Sequence, residues 1–107
     1  MQELKKCIKE LLTKNNIKVQ YMYVRELNNH IAVIAKCNNS IKDIKPCEKL
    51  VRKLTLEFAT DAANGGKMSS CVRIFGDQTS DKTVKAVLTK MQIKGEDRIC
   101  YNNEWTV

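Results

Sequence analysis

The 107-residue sequence predicts an α/β fold bordering on α+β: a two-layer sandwich of order αββαβαββ, with a mixed sheet and helices mainly on one face. Three observations predict it. Apolar residues recur with the helical period in three stretches, and with the strand period or as short apolar runs between them. Asparagine pairs and glycines punctuate each change of period. From the second strand onward the order is strand, helix, strand, helix, strand, strand. Right-handed crossovers then make at least two strands parallel and, on this reading, place both helices on one face.

Each element has its own signal. Residues 3–14 set Leu4, Cys7, Ile8, Leu11 and Leu12 on one stripe, with Lys5, Lys6, Lys9 and Glu10 opposite. Asn15 and Asn16 break that pattern, and Ile17, Val19, Tyr21 and Tyr23 then alternate with Lys18, Gln20 and Met22 as in a half-buried strand. After Asn28 and Asn29, residues 30–37 are apolar on both sides, which marks a central strand paired to the first in a hairpin. Asn38, Asn39, Ser40 and Pro46 read as a loop leading to a long helix built on Leu50, Val51, Leu54, Phe58, Ala59 and Ala62. Pro46 suits the first turn of that helix. Gly65 and Gly66 stop it, and residues 68–75 form a strand with Cys71 and Phe75 on one face and Val72 and Ile74 on the other. Ser80 and Asp81 open a last helix carrying Val84, Val87, Leu88 and Met91, which Gly95 ends. Residues 98–101 and 104–107 close the chain as a hairpin around Asn102 and Asn103.

One domain, 1–107, is all this length accommodates, with roughly two thirds of the unfolded surface buried on folding. No apolar run approaches the roughly 20 residues of a membrane span, and charges interrupt residues 1–13 where an export signal needs an unbroken apolar core. A cytoplasmic protein without membrane contact is expected. Five cysteines, Cys7, Cys37, Cys47, Cys71 and Cys100, include no close pair. That spacing fits reduced buried thiols better than zinc or a disulfide framework, and no cofactor is expected.

Charge is the most informative property. Net charge is +7, and residues 36–53 alone carry +4 through Lys36, Lys42, Lys45, Lys49, Arg52 and Lys53 against Asp43 and Glu48. Residues 1–18 add +3 and residues 82–107 add +2, whereas residues 54–81 sum to −2. Lys45, Lys49, Arg52 and Lys53 recur about a turn apart near the helix start, where peptide dipoles already make a positive end. An anion held at the loop and the first two turns relieves that conflict, and these six basic residues are the candidate anion-binding set. Fifteen lysines against four arginines point to phosphate contact with little reading of base edges.

No catalytic constellation emerges, and a non-enzymatic protein is expected. Cys47 is read in the first turn of the long helix between Lys45 and Lys49, a setting that lowers a thiol's pKa. His30, the only histidine, falls at the far end of its strand and makes no dyad with it. Asp77, Thr79, Ser80 and Asp81 are explained by helix capping. Tyr21, Tyr23, Phe75, Tyr101 and Trp105 stack on bases only if they face outward; Tyr21 and Tyr23 are expected beneath a helix and Trp105 exposed.

The function these features predict is binding of RNA or DNA through the phosphate backbone. The alternative is a protein-interaction module, an inhibitor or adaptor of the kind phages and mobile elements encode, docking on an acidic partner protein. The strand and helix order resembles that of small nucleic-acid-binding folds such as the Alba chromatin proteins and the C-terminal domain of bacterial initiation factor three. That likeness is one of topology and implies no residue roles. An exposed edge strand near the C-terminus is a surface on which a second copy can pair as a homodimer.

Overall fold

The computed structural model describes residues 2–27, 30–62, 69–93 and 98–101. Leu4, Ile8 and Leu12 form the buried stripe of the first helix, α1 (Gln2–Lys14). It ends in a left-handed cap at Asn16 (φ 59°). There Ile17 N–H donates to Leu12 O and Asn16 N–H to Thr13 O, and the paired apolar residues Ile17 and Leu12 enter the core together.

Strands β1 (Val19–Leu27) and β2 (His30–Cys37) pair antiparallel, with Leu27 opposite His30. The turn at Asn28 and Asn29 lies outside the described residues. A shift of register between Val19 and Tyr21 marks a bulge. It reverses the alternation expected there: Ile17 and Val19 join Met22 and Val24 on one face, and Tyr21 and Tyr23 take the other. In β2, residues 31–37 are all buried, as its two-sided apolar run requires.

Helix α2 (Ile41–Ala62) starts earlier than Pro46 suggests. Ser40 O accepts from the N–H groups of Asp43 and Ile44, and the Ser40 hydroxyl donates to the Asp43 carboxylate at 2.6 Å. The loop therefore spans 38–40 only, and Pro46 lies in the second turn. Its missing N–H leaves the Lys42 carbonyl without a helical donor, at a position where both residues face solvent. Ile44, Cys47, Val51, Thr55 and Ala59 face the core, with the Thr55 hydroxyl satisfied by Val51 O at 2.7 Å. Gly65 and Gly66 fall outside the described residues.

Strand β3 (Ser69–Phe75) pairs parallel to β2, and β4 (Arg98–Tyr101) pairs antiparallel to β1. Between them α3 (Asp81–Lys90) begins at Ser80, whose hydroxyl accepts from Thr83 N–H, as the capping reading expects. It ends before Gly95, in a second left-handed cap at Gln92 (φ 58°). Ile93 N–H donates to Leu88 O and Gln92 N–H to Thr89 O, while Arg25 donates to Met91 O at 2.8 Å and Gln92 O at 2.6 Å. The closing hairpin around Asn102 and Asn103, and the strand expected at 104–107, lie outside the described residues.

The sheet order is β3-β2-β1-β4, a mixed sheet in an α/β fold. The two-layer expectation is corrected to three layers. One core joins α1 and α2 to Met22, Val24, Ile31, Val33, Ala35, Val72 and Ile74. A second joins Val84, Val87, Leu88 and Met91 of α3 to Tyr21, Tyr23, Ala32, Ile34 and Phe75 on the other face. The reason is direction. The connection through α2 moves one strand toward the β3 edge, whereas the connection through α3 returns across the whole sheet to β4. Crossovers of one hand that run in opposite directions must use opposite faces.

Candidate basic face

Burial of Ile44, Cys47, Val51, Thr55 and Ala59 fixes the rotation of α2, and that decides where its cations go. Lys42, Lys45, Lys49 and Arg52 step by three and four residues, Lys53 lies four from Lys49, and all five are exposed. At 3.6 residues per turn they occupy an arc of about 100° and a length of about 16 Å. Arg52 lies 3.9 Å from Glu48; among the described residues no ion pair engages Lys42, Lys45, Lys49 or Lys53. Asp43, the acid of the first turn, is held by Ser40. The last turn has no basic residue, so the charge of α2 opposes its dipole, at about 0.3 kcal/mol or more per exposed cation near the start.

Packing brings a second basic segment to the same layer. Asn39 donates from Nδ2 to Asn16 O at 3.2 Å and accepts from Lys18 N–H at 2.8 Å, which ties the end of α1 to the start of α2. Exposed Lys6 and Lys14 of α1 thus belong to the same layer as the α2 cations. Lys82, Lys85 and Lys90 of α3 are exposed on the opposite side of the molecule. Among the described residues, the α1 and α2 lysines share one layer and the α3 lysines stand across the sheet from them. The lysine spacing alone could not reveal this, because it depends on which sheet face each helix covers.

Lys36 leaves the candidate set. It sits in β2 on the face covered by α3, 8% exposed, with Nζ 3.0 Å from Asp81 Oδ1. Tyr21 donates its hydroxyl to the same oxygen at 3.0 Å. Lys36 and then Tyr21 hold the Asp81 carboxyl below its ordinary range. These three side chains clamp the start of α3 to the sheet. The convergence expected at the loop is corrected with it: Lys36 points away from the α2 cations, across the sheet.

Cys47 is corrected too. It faces the core in the second turn of α2, and burial pushes its thiol up instead of the helix start drawing it down. His30 opens β2 as expected. Tyr21 is buried and Tyr23 and Phe75 are partly buried under α3; the side chains of Tyr101 and Trp105 lie outside the described residues. Among the described residues no group of three His, Cys, Asp or Glu could hold a metal ion, and no helix is long and apolar enough to cross a membrane.

Among the described residues, Ile41, Leu50 and Leu56, each 47% exposed, are the large apolar residues left in water, and all three belong to α2. They are spread along and around the helix instead of forming a patch, and they are a feature the charge reading overlooked. Comparison with protein-family models, with curated proteins and with solved structures gives no match.

Proposed function

We propose that this protein is a small non-enzymatic binding protein that contacts the phosphate backbone of RNA or DNA through the outer side of α2. One observation carries the reading: five exposed cations lie in a single stripe whose four lysines have no ion-pair partner among the described residues. A stripe of unneutralised charge on a rigid helix concentrates positive potential and attracts a polyanion. Lysine predominance favours contact with phosphate over recognition of base sequence. Fluorescence anisotropy with mixed nucleic-acid probes is the test. Binding below about 10 μM at 50 mM salt is expected, and its absence sinks the proposal.

A second reading has its own support in Ile41, Leu50 and Leu56, exposed apolar residues of the same helix. Apolar anchors beside cations suit an acidic protein partner, which a nucleic acid would not need. Pull-down from lysate treated with nuclease separates the two, because only a protein partner survives that treatment.

A further inference from the structure

We infer that the ligand of the α2 face is a double-stranded nucleic acid, gripped along its phosphates, and not a single strand held by stacked bases. This rests on the nucleic-acid reading above and narrows it. Proteins that hold single strands without sequence preference combine a cationic groove with aromatic platforms. The described part of this molecule presents no such aromatic platform beside its cations. Both faces of the sheet are covered by helices, and Tyr21, Tyr23 and Phe75 lie under α3, away from the stripe. Phe58 packs against the core on the inner side of α2.

The cations also have the wrong shape for a flexible strand. They stand on a convex helix, in a line of about 16 Å set by the helical rise. A duplex offers about one charge per 1.7 Å of axis on an equally stiff cylinder, so such a line runs beside a segment carrying roughly ten phosphate charges, part of them on the facing side, without ordering the ligand. A single strand has half that charge density and must lose conformational freedom to follow the ridge. Arg52, the residue type suited to reading bases, lies beside Glu48 at 3.9 Å, and the remaining four cations are lysines.

The test is anisotropy on DNA and RNA duplexes of about 20 base pairs and on each of their single strands, from about 25 to 200 mM salt. Duplex binding is expected to be severalfold tighter than binding to either strand. The slope of log affinity against log salt should lie near −4.5 for five phosphate contacts at about 0.9 each. Replacing Lys45, Lys49 and Lys53 together by alanine should bring the slope to about −2. Replacing Lys82, Lys85 and Lys90 removes the same charge from the opposite side and should leave it near its original value. Circular dichroism verifies both variants, and the milder Lys49→Gln should lower the slope by about one. Single strands binding as tightly as duplexes, or quenching the sole tryptophan, Trp105, overturn the duplex inference and leave the nucleic-acid reading standing. Equal losses in the α2 and α3 variants overturn the placement on α2. Failure of every probe to bind below about 10 μM at 50 mM salt removes the underlying reading itself.

Discussion

Gly76 seats the start of α2, and Gly76→Ala tests whether that seat determines stability. An added Cβ would stand 3.0 Å from Asn39 O, 3.0 Å from Ile41 N and 2.7 Å from Gln78 Oε1. The exposed Gln78 side chain can swing aside. The two backbone atoms cannot move without parting the loop before α2 from the loop before α3, which Asp77 N–H joins to Asn39 O at 2.9 Å. Overpacking of this kind costs about 1–3 kcal/mol, and the narrower unfolded ensemble of alanine offsets about 0.4–1 kcal/mol. A net loss of up to about 2.6 kcal/mol remains, about 1.3 at the mid-values, which lowers the urea midpoint by about 1 M at the slope typical of small domains. Urea titration followed by circular dichroism measures it, and amide exchange at Asp77 reports the loop contact directly. A variant that unfolds at the wild-type midpoint or above, or that keeps full protection at Asp77, refutes the reasoning.

Gln92→Gly should raise stability by about 0.5–1 kcal/mol, because glycine takes the 58° φ of that cap without strain; a lower melting temperature would count against the cap assignment. Lys36→Met should leave the salt slope of nucleic-acid binding unchanged while lowering thermal stability, and a slope reduced by about one would return Lys36 to the binding set. The Asp81 carboxyl, depressed by Lys36 and Tyr21, adds stability that is complete above its ordinary value near 3.8 and disappears as pH falls through its lower folded value. Asp81→Asn should therefore flatten the acid limb of a stability profile below about pH 4, and an unchanged limb would contradict the clamp. Cys47 should resist thiol reagents at pH 8 until the protein unfolds, while the partly exposed Cys7 and Cys71 react first; peptide mapping that finds Cys47 modified early would contradict its burial.

Much of the secondary structure was legible because burial acts on short spacings. Leu4, Ile8 and Leu12 recur at helical steps, and Val72 and Ile74 alternate with Cys71 and Phe75, whichever neighbours they meet. Element ends were less legible where hydrogen-bond geometry outweighs residue preference. Pro46 and Gly95 are the stronger local signals, yet Ser40 with Asp43 sets the start of α2, and the paired contact of Ile93 with Leu88 accompanies the end of α3 at Gln92.

The candidate site divides along the same line. The stripe from Lys42 to Lys53 follows from spacing, since residues three and four apart on a helix share a side once its apolar stripe is known. Lys36 does not follow, because alternation in a strand says which residues share a face but not whether a helix covers it. Its burial depends on α3 crossing to the second face, and that follows from strand order, with β4 placed at the edge beyond β1. Strand order comes from contacts between residues far apart in the chain. Local periodicity therefore determined which lysines stand together on α2, whereas long-range pairing decided which face of the molecule each basic segment occupies.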